Sequence, residues 1–139
     1  MKLKQIALLA LLFVGIQLPV KAEQPCRAYT VDRPDDLGYG YEEINNCPVI
    51  RGTFSNSDWR VFISAYEPAA YLYRGTNLKN GNSIELIDFD IVGTTNRPQY
   101  RFHNGNVTYI VTFRYTDPNT IRLEVHQENR RILNPLLYR

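Results

Sequence analysis

The sequence predicts an all-β fold: a small antiparallel β-barrel or sandwich of seven to eight strands in meander order, behind an N-terminal disulfide-closed loop. Three observations carry this expectation. From Pro48 onward apolar residues recur at every second position, the period of a half-buried strand. β-Branched and aromatic side chains, which suit a pleated surface, are abundant, with ten Tyr and six Phe among 139 residues. Asn-Gly pairs at Asn80-Gly81 and Asn104-Gly105 supply residues that tolerate the positive φ angles of tight hairpin turns. No long stripe of helical period appears beyond the first segment. A chain 44% hydrophobic and 22% charged has the composition of one globular domain, which excludes disorder, collagen and coiled coil.

Taken in order, residues 1–22 read as a signal peptide. Lys2 and Lys4 form a basic start, residues 6–16 are an uncharged apolar run, and Val20-Lys21-Ala22 offers small or aliphatic residues where a signal peptidase reads. The run is short against the roughly 20 residues of a membrane-spanning helix, so no stable membrane span is expected after cleavage. Glu23-Gln24-Pro25 ahead of Cys26 makes a poor lipoprotein signal. The expected location is therefore exported, periplasmic or extracellular.

Residues 23–47 read as a loop closed by a Cys26–Cys47 disulfide. Two cysteines in a small exported chain most economically pair, and their spacing matches no redox or metal motif. Cleavage at Ala22 removes three of four lysines, leaving twelve arginines and Lys79 against fourteen acids, a balance of −1. That balance gives no ground for nucleic-acid binding. The charge is uneven. The disulfide loop is acidic, with Asp32, Asp35, Asp36, Glu42 and Glu43, whereas residues 48–139 carry a balance of +3.

Residues 48–139 read as the β domain. Residues 49–54, 59–65 and 70–74 alternate as strands, the last two turning about Glu67-Pro68, and residues 83–92 read as one longer strand after Asn80-Gly81. The clearest hairpin pairs residues 99–103 with 106–111 across a type I′ turn at Asn104-Gly105, placing Phe102 opposite Val107 and Tyr100 opposite Tyr109. The second strand continues through Tyr115 to a turn at residues 116–119 and returns over residues 121–126. Glu128-Asn129 turns it once more into residues 130–133. The expected inward face is Tyr100, Phe102, Val107, Tyr109, Val111, Phe113, Tyr115, Ile121, Leu123, Val125 and Ile132.

The outward face of this meander collects Arg101, His103, Arg114, Arg122, His126 and Arg131. Guanidinium groups present a planar fork that fits carboxylate, phosphate or sulfate, so these six are the expected binding residues. The same face could instead be a solubilising surface, with Glu124 opposing its arginines, or could dock the acidic loop. Tyr66, Tyr71, Tyr73 and Trp59 form a possible sugar-stacking platform, or core. Asp88 and Asp90 flank Phe89 and would share one face of a continuous strand, a spacing that suits paired carboxylates in glycan hydrolysis. The acidic loop lacks EF-hand spacing, the two histidines lack zinc spacing, and no Gly-x-Ser-x-Gly is present, so no catalytic residue, metal or cofactor is expected.

The run Tyr100-Arg101-Phe102-His103-Asn104-Gly105 through Tyr109-Ile110-Val111 and on to Ile121-Arg122-Leu123-Glu124-Val125 resembles the meander of small exported bacterial β-domains. In architecture it is also similar to the periplasmic lysozyme-inhibitor barrels. It departs from them in having Phe102 where a cysteine is frequent, in placing its cysteines near the N-terminus, and in lacking a Ser-Gly loop, so the resemblance implies a fold and carries over no functional residue. The expected function is a non-catalytic exported β-domain binding a protein or an anionic envelope polysaccharide, with no particular oligomeric state implied. The alternatives are a small glycan hydrolase using Asp88 and Asp90, and a purely structural envelope component.

Overall fold

Alternating apolar residues become two stacks of hairpins that meet in one curved sheet. The computed structural model describes residues 23–34, 36–67 and 70–139, so the leader expected over residues 1–22 lies outside the described residues. Twelve strands and no helix occur among them, more strands than the sequence pattern predicts. The first two, β1 (Ala28–Asp32) and β2 (Tyr41–Asn45), form a separate two-stranded hairpin. The first stack is β3 (Gly52–Ser55), β4 (Trp59–Glu67), β5 (Ala70–Asn77) and β6 (Ser83–Leu86). The second is β7 (Phe89–Gly93), β8 (Pro98–Asn104), β9 (Val107–Arg114) and β10 (Asp117–Gln127). After them come β11 (Arg130–Leu133) and β12 (Leu136–Tyr138).

In the ten-stranded sheet the order is β6-β5-β4-β3-β12-β10-β9-β8-β7, with β11 pairing β10. Every ladder is antiparallel. The stacks meet where β12 inserts between β3 and β10. There β12 makes three pairs with β10 but only Tyr138–Ser55 with β3. The outermost strands, β6 and β7, are separated in the chain only by Ile87-Asp88, so the sheet curls into a nearly closed barrel.

This break corrects the single strand expected over residues 83–92. Leu86 is buried, Ile87 and Asp88 are exposed, and Phe89 packs against the core, so the inward parity changes from even to odd across the break. One unbroken strand cannot make that change.

Side chains from both stacks fill the interior. Phe54, Val61, Ile63, Tyr71 and Tyr73 face Tyr100, Phe102, Val111, Phe113, Ile121 and Leu123, all buried. Tyr71 meets Tyr100 edge to face at 5.0 Å between ring centroids and Phe89 at 5.2 Å, while Tyr73 lies 5.2 Å from Phe102. Burying each large aromatic side chain stabilises by about 1.5–3 kcal/mol.

Three further expectations are corrected. The hairpin β8–β9 pairs Phe102 with Tyr109 and Tyr100 with Val111, two residues from the expected register, with Gly105-Asn106 at its turn. Only Gly105, at φ +60°, is left-handed there, which a glycine-first turn requires, whereas Asn104 stays in the strand. The two-residue shift leaves every side chain on its expected face. Tyr115 is 64% exposed because β9 ends at Arg114 and the turn falls at Tyr115-Thr116. Ile132 is 48% exposed on short β11, beyond a register shift between Val125 and His126.

The Cys26–Cys47 disulfide forms as expected, with Cα atoms 5.2 Å apart, and closes the base of the β1–β2 hairpin. The expected loop is thus a hairpin on an anchored base. Pro25 bridges Thr94 beyond β7, the Cys26 N–H donates to Gly93 O at 2.9 Å, and Asn45 Nδ2 donates to Tyr71 Oη at 3.1 Å.

Candidate functional site

Strand parity brings the six expected binding residues onto the outer surface of β8–β11, but it interleaves two acids among them. Across the sheet, Asp90, Arg101, Ile110 and Glu124 form one row, and His103, Thr108, His126 and Arg131 the next. Arg101 Nε donates to both Asp90 oxygens at 3.1 Å, its Nη2 also pairs with Asp90, and His103 Nε2 lies 2.7 Å from Asp90 Oδ1. Burial works to raise the Asp90 carboxyl, but hydrogen bonds and positive charge from Arg101 and His103 outweigh it and hold it below its ordinary value. Glu124 takes Arg131 Nη1 at 3.3 Å, with His126 Nε2 at 3.7 Å, beyond hydrogen-bond reach. This half of the face is a paired surface.

Three arginines that pair with no carboxylate among the described residues gather elsewhere. Arg114 and Arg122, both expected, meet Arg97, which the sequence reading missed, around a cavity of about 240 Å³. Three local features position them. Gly93, at φ +85°, lets the chain turn so that the Arg97 N–H donates to Thr94 O at 3.0 Å. A register shift in β10 between Asp117 and Arg122 opens the ladder against β9. Arg122 Nη1 donates to Asn134 O at 3.2 Å and Oδ1 at 3.1 Å, which orients its fork.

Thr112 lies between Gln99 and Arg122 across the sheet and, with Arg122, lines this cavity. Its side chain is 4% exposed, and its Oγ1 has no hydrogen-bond partner among the described residues. An unsatisfied buried hydroxyl costs about 1–3 kcal/mol, a cost that a ligand atom at that place would remove. With Asp117 the only acid in the lining, three guanidinium groups leave the cavity positively charged. Arg97 carries the same parity as Gln99 and Arg101, and Thr112 the same as Arg114, so parity extended past Pro98 was the available signal.

The remaining candidates are placed as follows. Asp88 sits exposed in the break between β6 and β7, where its carbonyl accepts the His103 N–H at 2.9 Å, so the continuous strand expected to carry both carboxylates is not present. Asp90 is held by Arg101 and His103. Within the acidic hairpin Arg33 pairs with Glu42, and the hairpin's contacts described above run to β5 and the end of β7. Tyr71 and Tyr73 belong to the core, and Tyr73 shares a second cavity with Trp59. Among the described residues no three His, Cys, Asp or Glu side chains gather as for a metal ion.

Comparison with protein-family models, with curated proteins and with solved structures finds no match. The class that fold and site define is therefore geometric: an all-β, barrel-like domain with a disulfide-closed hairpin and a cationic cavity in its wall.

Proposed function

We propose that this protein is an exported, non-catalytic β-domain that binds acidic groups of an anionic envelope polymer in the cavity lined by Arg97, Arg114 and Arg122. The observation that carries the reading is a Thr112 hydroxyl and three guanidinium groups on one wall, the hydroxyl with no hydrogen-bond partner and the guanidinium groups with no carboxylate partner among the described residues. Guanidinium forks bind carboxylate, sulfate or phosphate through paired N–H donors, and a buried hydroxyl adds a further donor to one oxygen. Arg101 and Arg131, already bound to Asp90 and Glu124, contribute to the surrounding field more than to contact. Export is supported by the leader-like residues 1–22 and by a disulfide, which persists in oxidising compartments.

Residues 23–139 should be titrated calorimetrically with dextran sulfate, polygalacturonate and neutral dextran at low and high salt. The anionic polymers should bind with salt-sensitive affinity and dextran should not. Replacing Arg97, Arg114 and Arg122 together by Gln should weaken binding at least tenfold, and replacing Arg101 and Arg131 by Gln should weaken it less. Equal affinity of the triple variant, or selective capture of an acidic protein in place of the polymers, would overturn the assignment. Export is tested separately by N-terminal sequencing of protein recovered outside the cytoplasm, which should begin at Glu23.

A further inference from the structure

A second cavity, of about 420 Å³, opens between the start of β4 and β11, with β5, β6, β9 and β10 also in its lining. Its size falls in the range of small-molecule sites, and its chemistry differs from that of the arginine cavity. The walls are apolar and aromatic, with Trp59, Tyr73, Tyr109 and Leu123 among them, and Arg60 is the only charged residue in the lining.

Several polar groups there can donate hydrogen bonds, and the Ser83 and Tyr109 hydroxyls both donate and accept. Asn77 Oδ1 accepts the Lys79 N–H at 3.0 Å and Asn80 Oδ1 the Asn82 N–H at 2.9 Å, and both amide NH₂ groups can donate. Asn82 adds a third amide, and Trp59 adds an indole N–H that donates only. Tyr73 is the decisive residue. It is 1% exposed, and its hydroxyl makes no hydrogen bond to another described residue. That hydroxyl lies over Gly75, also in the lining, where an added Cβ would come within 2.6 Å of Oη. The position of Gly75 thus gives the Tyr73 hydroxyl room at the cavity. Burial pushes its ionisation up, so it remains a neutral donor.

We infer that this cavity binds a small, neutral, ring-shaped molecule carrying carbonyl oxygen, its ring against Trp59 and Tyr109 and its oxygen accepting from Tyr73. Inside the more exposed amide rim, apolar walls around the Tyr73 hydroxyl favour a ring ketone over a sugar, whose many hydroxyls would remain unpaired against Leu123, Val125 and Leu133. An anionic ligand belongs to the other cavity.

Trp59 is the only tryptophan of the chain, so ligand entry can be read from its fluorescence. The intact oxidised protein is titrated with 2-acetonaphthone, with 2-ethylnaphthalene as the analogue lacking oxygen, and with methyl glucoside, and calorimetry serves as the second readout. The ketone should bind saturably, the hydrocarbon about tenfold more weakly, and the glucoside not at all. Tyr73→Phe, which retains the ring, should remove most of the ketone's advantage over the hydrocarbon. Asn82→Ala, at an exposed position, checks the amide rim without disturbing the core and should weaken ketone binding by a smaller factor. Failure of the ketone to bind, equal binding of the hydrocarbon, preferential binding of the glucoside, or unchanged ketone selectivity in Tyr73→Phe would each overturn the inference.

Discussion

Asp90 and Thr112 show how two outward side chains of one sheet come to opposite ends of the same physics. The Asp90 carboxylate accepts from Arg101 and His103, and its ionisation is held below the ordinary carboxyl value. A carboxyl whose folded value is depressed contributes stability above its unfolded value, near 3.9, and loses it as pH falls through the lower folded value. Asp90→Asn should therefore lower the urea midpoint at pH 7, and the gap from the parent protein should narrow toward pH 3. A pH-independent gap would show that packing, not charge, is lost. Thr112 has the reverse character, since its hydroxyl is buried with no partner among the described residues. Thr112→Val should stabilise the free protein by about 1 kcal/mol and weaken anion binding, measured by thermal unfolding and calorimetry on the same samples. The sequence made the parity of these residues legible. It did not reveal which arginines would be taken by acids, because that depends on neighbours across strands whose register parity leaves open.

Among elements, the turn that carries Arg97 is the most constrained. At Gly93, φ is +85° and an added Cβ would lie 2.5 Å from Arg97 O and 3.2 Å from Gln99 N. Gly93→Ala should cost about 2 kcal/mol or more and displace Arg97, so thermal stability and anion affinity should fall together. The acidic hairpin has a different support. Tyr29 and Tyr41 on its strands are exposed, so it buries little, and the disulfide at its base constrains it. Replacing both cysteines by Ser should cost up to about 3 kcal/mol and raise hydrogen exchange in β1 and β2 more than in β8–β10. Weak inward alternation is also why these two strands read as a loop in the sequence. The break between β6 and β7 was more accessible. Ile84 and Leu86 point inward at even positions and Phe89 and Ile91 pack inward at odd ones, a phase slip written in the residues themselves. The β8–β9 register was less so, because Asn104-Gly105 and Gly105-Asn106 both offer a two-residue turn, and the two choices bury the same faces.

For the whole molecule, the all-β class and the disulfide were legible because period-two alternation and a lone cysteine pair each admit few structures. The strand count and the closure were not. At three residues, β12 is too short to carry a period, yet its Leu137 is fully buried and its backbone joins the two stacks. Both cavities depend on long-range juxtaposition of this kind. The arginine cavity needs the β9–β10 register shift, and the aromatic one needs β4 opposite β11. The seam between β3 and β12 also has a consequence in time. Nearly every other pairing joins strands consecutive in the chain, and such hairpins close within microseconds. Tyr138 and Ser55 must close a far longer loop, so their contact should form after the rate-limiting step of folding. Ser55→Gly or Tyr138→Ala should then quicken unfolding in stopped-flow measurements and leave the refolding rate nearly unchanged. The lifetime of the native state should then depend less on its aromatic interior than on how long one narrow junction stays shut.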